Sequence, residues 1–381
     1  MVLRQEVQAA LKALAKNKAP GIDGISIEMF QHMVAVLEVL TCLSQKIWKT
    51  VIWPTDWKRF IFMPIPKKGD PTESEESKNT TIMEFVLVGF SDEPNLQWIL
   101  FGTFFIMYLF ILLGNSIIIL ITRIDPTLQN PMYFFLGNFS FLEICYVTVT
   151  IPRMLTDIWT RKGNISFLGC AMQMCFFLIF GGTECLLLTV MAYDRYVAIC
   201  NPLHYPVAMN HRVCIQLVAG SWISGIPVEI GQTCQIFSLS FCGSNTINHF
   251  FCDIPPVIKL ACGDILVNQM AVYILAMMFL MLPFLWIVVS YGKIISNILK
   301  LSSAKGRAKA FSTCSSHLTV VILFYGTAAI NYLLPKSNQS EGLGKLVCLF
   351  YTILTPMMNP VIYSLRNKDV MVALKRLLPN Y

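Results

Sequence analysis

The sequence points to an all-α protein, a bundle of seven helices that each cross a membrane, and three observations carry that reading. Of its 381 residues, 55% are hydrophobic and only 13% charged, with a mean hydropathy of +0.60, whereas a soluble domain is roughly 25% charged. From Trp98 onward, seven long apolar stretches alternate with short polar ones, at about 98–121, 132–152, 170–192, 213–233, 267–291, 311–334 and 343–364. Each has about the 20 residues that a helix needs to cross a hydrocarbon core about 30 Å thick. A soluble helical bundle would need polar faces, and Leu100 to Ile121 has none.

Residues 1–78 differ in character from 79–381 and form a separate extension and linker. The extension carries eleven Lys/Arg and nine Asp/Glu. Val7, Ala10, Leu11 and Leu14 make an amphipathic helical pattern that stops at Lys16-Asn-Lys-Ala-Pro-Gly21. A second helical stretch, about Ile25 to Lys49, leads to a strand-like run from Phe60 to Ile65, and Pro71 to Thr81 is a polar linker. The first residues lack the apolar core of a cleavable signal, so the first crossing helix is expected to act as its own insertion signal. The near balance of charge argues against nucleic acid as a partner.

Loop charges orient the bundle. The turns after the first, third and fifth stretches, together with the tail, hold twelve Lys/Arg, five of them between Lys293 and Lys309; the opposite loops hold six. The excess marks the cytoplasmic face, which puts the N-terminus outside. After the seventh stretch, Asn367 to Leu378 reads as a short amphipathic helix on the inner surface, with Lys375 and Arg376 at the lipid head groups.

Of thirteen cysteines, Cys170, Cys242, Cys252 and Cys262 fall at or near the outer side, where disulfides persist. Four cysteines allow three pairings, and spacing does not choose among them. A zinc site from His249, Cys252 and Cys262 has no standard spacing behind it. Asn79-Thr-Thr, Asn164-Ile-Ser and Asn338-Gln-Ser are outer glycosylation sequons, Asn79 the strongest because its segment is polar; Asn138-Phe-Ser lies inside a helix.

Ionisable and amide side chains at bilayer depth are costly, so each needs a reason. Asn115, Glu143 and Asn359, in the first, second and seventh stretches, read as a hydrated polar cluster that rearranges between two states. Glu184 in the third serves equally as a structural or a ligand-facing group. Asp194-Arg195, at the inner end of the third helix, reads as a pair that a cytosolic partner can break. Pro283 and Pro360 permit kinks in the fifth and seventh helices. In the outer half, Phe177, Leu178, Gly181, Gly182 and Tyr325 suggest a pocket for a small, largely apolar molecule bearing a hydroxyl or carbonyl.

These residues also carry a resemblance. Gly114-Asn115, Pro131-Met-Tyr-Phe-Phe-Leu136, Met191-Ala-Tyr-Asp-Arg-Tyr-Val-Ala-Ile-Cys200, Ser290-Tyr291, Lys309-Ala-Phe-Ser-Thr-Cys-Ser-Ser-His317 and Pro356-Met-Met-Asn-Pro-Val-Ile-Tyr363 follow one another in order. From about Asn79 to Tyr381 the chain thus resembles an olfactory receptor of the rhodopsin-like G protein-coupled class. The resemblance implies disulfides Cys170–Cys252 and Cys242–Cys262. It implies a coupling and switch face made of Asp194, Arg195, Tyr196, Tyr291, His317 and Tyr363, and an odorant cavity at Phe177, Leu178, Gly181, Gly182, Tyr325 and Thr352. Asn115, Glu143 and Asn359 become its ion and water cluster; the family usually has aspartate where Glu143 stands, which weakens the expectation of a sodium effect. The implied activity is no enzyme's and needs no cofactor. An odorant shifts the population of receptor states, a heterotrimeric Gs-type G protein exchanges nucleotide, and cyclic AMP rises, at the plasma membrane.

Asn17-Lys-Ala-Pro-Gly-Ile-Asp-Gly24 and Pro64-Ile-Pro-Lys-Lys-Gly-Asp70, with Trp57 between them, resemble the start of a LINE-type reverse transcriptase. The catalytic aspartates of such an enzyme have no match, and two-metal chemistry needs them. The extension is therefore expected to be non-functional, partly helical or disordered. Competing readings are a signalling-dead membrane protein whose extension binds a partner, a non-olfactory chemosensory receptor, and a channel or transporter, the last disfavoured by the lack of repeated halves.

Overall fold

A computed structural model describes residues 84–89, 94–242, 244–262, 265–300, 303–332, 341–365 and 368–377. The chain divides into two units, Met1–Lys78 and Asn79–Tyr381, and all described residues belong to the second. The helices, strand and linker read in residues 1–78, and the sequons at Asn79 and Asn338, lie outside them.

Seven helices form the bundle: α1 (Pro94–Ile124), α2 (Pro131–Thr160), α3 (Phe167–Cys200), α4 (His211–Phe237), α5 (Leu266–Ala276 continuing through Met277–Met281 to Leu282–Lys300), α6 (Ala304–Tyr332) and α7 (Glu341–Leu349 continuing through Phe350–Leu354 to Thr355–Leu365). An eighth, α8 (Lys368–Leu377), follows. Local sequence sets the starts. Asn130, Ser166 and Asn210 cap α2, α3 and α4 by accepting from the amides of Tyr133, Gly169 and Val213 at 3.3, 3.1 and 3.0 Å. Pro131 occupies the first turn of α2, where its missing N–H is not needed.

The helices outrun the apolar stretches. α2 continues to Thr160, α3 to Cys200 and α5 to Lys300, past the expected ends at 152, 192 and 291. At 1.5 Å per residue the 34 residues of α3 cover about 50 Å, against a hydrocarbon core of about 30 Å. Apolarity ends at the head groups; the backbone ladder does not have to.

Two helices are locally widened. In α5 the Leu282 amide reaches the Met277 carbonyl, and in α7 the Thr355 amide reaches Phe350, both five residues back. Each π turn contains the carbonyl four residues before a proline, Phe279 before Pro283 and Thr352 before Pro356. A proline ring clashes with that carbonyl and offers no N–H, so the ladder expands by one residue there. In α7 the irregularity therefore belongs to Pro356. Pro360 instead packs against Gly114, where a Cβ would come within 2.9 Å of its ring, so the glycine lets α1 and α7 meet.

α3 runs through the middle of the bundle, against α2, α4, α5 and α6. Leu113 of α1, Ile223 of α4 and Leu282, Trp286 and Val289 of α5 stay exposed, the outward face expected of helices in lipid. At one end, strand β1 (Glu84–Leu87) pairs antiparallel with β2 (Asn164–Ser166) and parallel with β3 (Thr246–Ile247). Phe85, fully buried, stacks on Phe167 and meets Phe237 and Phe241 edge-on. Gly163 is needed here, because any Cβ would collide with the Leu87 carbonyl. Lys345 of α7 caps the strand by donating to the carbonyls of Val88 and Gly89 at 3.1 and 2.8 Å.

Candidate functional site

A cavity of about 100 Å³ opens between the helices beneath this sheet. Phe177, Leu178, Gly181 and Gly182 of α3 line it, facing Glu229 and Gln232 of α4, Phe279 of α5, Phe324 and Ala328 of α6, and Tyr351 of α7. Of the pocket residues expected from the sequence, those four on α3 are in its wall. Tyr325 and Thr352 are not. Tyr325 turns inward and donates to the Cys185 carbonyl at 3.0 Å, while Thr352 donates back to Cys348 at 2.6 Å. A helix rotates about 100° per residue, so the wall is made by their neighbours Phe324 and Tyr351. Glu229 and Gln232 were absent from the sequence reading, although a carboxyl inside the fourth apolar stretch is the kind of signal that marks a site.

The roof is the loop between α4 and α5. Cys252 is disulfide-bonded to Cys170 at the start of α3, and Cys242 to Cys262 within the loop. Phe251 is fully buried with its ring 4.7 Å from Phe177. The Cys252 amide donates to Gln173 Oε1 at 3.0 Å, and Gln173 Nε2 donates to the Val149 carbonyl at 3.0 Å, joining roof, α3 and α2. Asp253 accepts from Asn331 of α6 at 3.2 Å and from Tyr351 of α7 at 3.4 Å. His249 sits inside the loop, its ring 4.5 Å from that of Phe250. The sequon residue Asn164 is exposed in β2.

Below the cavity lies a buried polar centre. Asn359 Nδ2 donates to Glu143 Oε1, and Glu184 of α3 lies beside Glu143. Asn115 Nδ2 donates to the Ile111 carbonyl at 3.0 Å and reaches that of Pro356 at 3.5 Å. Asn115 Oδ1, Glu143 Oε2, Glu184 Oε1 and Asn359 Oδ1 have no protein partner. Glu184, undecided from sequence, thus belongs with Glu143. Buried polar groups of this kind are satisfied by ordered water or ions.

At the far end Asp194 is 1% exposed and holds three donors: Arg195 Nη2 at 2.6 Å, Arg195 Nε at 3.1 Å and the Tyr205 hydroxyl at 2.8 Å. Burial, reinforced by the Asp194 carboxylate, pushes the Tyr205 phenol well above its ordinary pKa, so it stays a donor. The Tyr291 hydroxyl bonds His317 Nδ1 at 2.8 Å with the rings stacked, tying α5 to α6. Tyr196 lies under the ammonium of Lys293, 5.6 Å from ring centre to Nζ. The backbone of Tyr363 is in α7, and its side chain is outside the described set. α8 is pinned by the Tyr133 hydroxyl on Asp369 at 3.2 Å and by Arg376 near Asp125 at 3.5 Å. The Thr127 hydroxyl and amide, and then Arg376, hold the Asp125 carboxyl below its ordinary pKa.

The geometry is a ligand-sized cavity at one end, an ion pair and a tyrosine–histidine bridge at the other, and a polar centre between them. Residues 104–380 match the family model described as olfactory receptor. The chain is 71% identical over 296 residues to human olfactory receptor 10AG1, covering 78% of this chain and 98% of that protein. It is 53% identical over 298 residues to human olfactory receptor 10A7, covering 78% and 94%. Among solved structures, squid rhodopsin aligns with a TM-score of 0.57 at 18% identity, over 75% of this chain and 86% of that one, a likeness of fold.

Proposed function

The chain belongs to the olfactory receptor family, multi-pass membrane receptors and not enzymes, and from that premise we propose that it binds small, largely apolar odorants in the roofed cavity and activates a Gs-type G protein that raises cyclic AMP. The cavity is the observation that carries this reading. It is lined mainly by apolar side chains and roofed by a loop pinned through Cys170–Cys252, the setting in which a few polar groups orient a small ligand. An odorant there touches α3, α5, α6 and α7 together and so favours one arrangement of them over another.

In this reading Asp194, Arg195, Tyr196, Tyr291, His317 and Tyr363 form the coupling face. Asn115, Glu143, Glu184 and Asn359 form the relay between face and cavity, and their orphaned oxygens fit waters with a monovalent cation. The receptor sits in the plasma membrane with β1 and the roof outside, and Asn164 is open to glycosylation there. Residues 1–78 play no part in signalling.

The test is a cyclic AMP assay in cells that carry the G protein, with surface labelling in parallel, for the full chain and for a chain beginning at Met83, which retains β1 from Glu84 onward. Both forms are expected to respond to the same odorants with potencies within about threefold at equal surface density. Odorant responses that vanish in the shortened form at equal surface density would give the extension a function and overturn that part of the proposal.

Gly182→Ala gives a second expected outcome. A Cβ at this position would lie 3.6 Å from Glu229 Oε1 and 3.9 Å from Phe279, ordinary contact distances. The fold should tolerate it, while the cavity loses the volume of a methyl group out of about 100 Å³. The largest active odorants are expected to lose about tenfold in potency, roughly the effect of one methylene in a hydrophobic pocket, and the smallest to lose little. Dose–response curves across a series of increasing chain length check this.

A further inference from the structure

One group in the cavity wall has no role in the switch or in the polar centre. Glu229 of α4 is 5% exposed, and its Oε2 has no hydrogen-bond partner. Its position is built. Ile226 and Ile230 on the same helix face outward while Gly225, Glu229 and Gln232 are buried, so the carboxyl is turned into the bundle. Across the cavity Gly181 and Gly182 leave the space into which it reaches.

A carboxyl in such surroundings is costly to keep unless something donates to it or balances its charge. No Lys, Arg or His lines the cavity among the described residues. Buried carboxyls also lie in the centre below, Glu143 and Glu184, and in the roof above, Asp253, which shares that loop with the buried His249. The cavity wall therefore offers a carboxyl with no basic side chain beside it to balance its charge, which favours a ligand that brings the cation itself. The rest of the wall, Phe177, Leu178, Phe279 and Phe324, offers hydrocarbon contact.

We propose that Glu229 is the polar anchor of the cavity and that the ligands it selects are small apolar amines, the ammonium N–H donating to the Glu229 carboxylate while the hydrocarbon part packs against the aromatic wall. The proposal rests on the reading of the cavity as the odorant site and names its ligand class. An alcohol of the same shape supplies a donor and no charge, an aldehyde supplies neither, and a carboxylic acid brings a like charge. The volume, on the scale of the ~150 Å³ engineered cavity that takes benzene, suits chains of about four to six carbons. Glu229 would set specificity and take no part in coupling.

The experiment uses the full chain, purified in nanodiscs, with binding read from ligand-induced shifts in thermal unfolding. The probes are the amine, alcohol, aldehyde and carboxylate of the butyl and hexyl series. Wild type is expected to bind the amines at least tenfold more tightly than the matched alcohols and to bind the carboxylates least. Glu229→Gln, of equal size, should lose at least tenfold in amine affinity while alcohol affinity stays within threefold. Glu229→Asp, which keeps the charge, should retain the order of preference, and serves if the glutamine variant does not fold. Alcohols or aldehydes binding as tightly as amines in wild type would overturn the ligand class and leave the cavity reading standing. Amine preference that survives Glu229→Gln would overturn the anchor. A folded receptor stabilised by no member of the panel would overturn both this proposal and the cavity as the odorant site.

Discussion

A receptor carrying Cys170→Ser is expected to lose at least tenfold in surface density and to bind no odorant. Cys170 is fully buried in the first turn of α3, and its bond to Cys252 closes a loop of sequence separation 82. In the chain-entropy account a closure of that length contributes about 4.5 kcal/mol, a large share of the ~5–15 kcal/mol by which folded domains are stable. The bond also positions the roof. Phe251 on Phe177, the Cys252 amide on Gln173, and Asp253 on Asn331 and Tyr351 all follow directly from where Cys252 is held. Cys242→Ser should be milder, because its bond spans 20 residues within the loop, worth about 3 kcal/mol on the same scale. Quantitative surface labelling and thermal unfolding of purified variants check both. Normal surface density and unchanged ligand affinity in Cys170→Ser would show that packing alone holds the roof.

The second large effect is expected at the opposite end. Arg195→Ala should abolish odorant-evoked cyclic AMP at matched surface density, and Asp194→Asn should raise the ligand-independent signal about tenfold. The two variants act on one device. Arg195 is held by two hydrogen bonds from its guanidinium to the buried Asp194 carboxylate, which Tyr205 also fills. An arginine so engaged is not offered to a partner. Neutralising Asp194 weakens the hold, and a change of 1.4 kcal/mol in a two-state equilibrium is a factor of ten in population. Removing the arginine leaves the freed state with nothing to present. Basal and evoked cyclic AMP in the two variants, each normalised to surface label, separate these outcomes; an Arg195→Ala receptor that still responds would remove this pair from the coupling mechanism.

The seven helices were legible in the sequence because the constraint that produces them is local. In lipid every backbone N–H and C=O must be bonded within its own segment, so a run of about 20 apolar residues specifies a crossing helix with no reference to the rest of the chain. The caps at Asn130, Ser166 and Asn210 are equally local. Four of the α3 residues that line the cavity, Phe177, Leu178, Gly181 and Gly182, were readable too, because a glycine pair beside bulky side chains leaves room between helices.

What the sequence could not show was the rotation of each helix about its axis. A soluble helix reveals its inner face by hydrophobic contrast, but lipid is as apolar as the bundle interior, so Phe324 and Tyr325, or Tyr351 and Thr352, are indistinguishable until the helices pack. The docking of β1 was hidden for a related reason. Glu84–Leu87 is four residues long, too short to signal a strand, and it forms only because β2, β3 and the Phe167, Phe237 and Phe241 rings are brought together from three distant parts of the chain. Glu229 stands between the two cases. A carboxyl inside the fourth apolar stretch was there to be seen and was passed over, and only the tertiary structure turned it toward Gly182 and gave it a cavity to face, because burial decides that a carboxyl needs a partner and packing decides where the partner can come from.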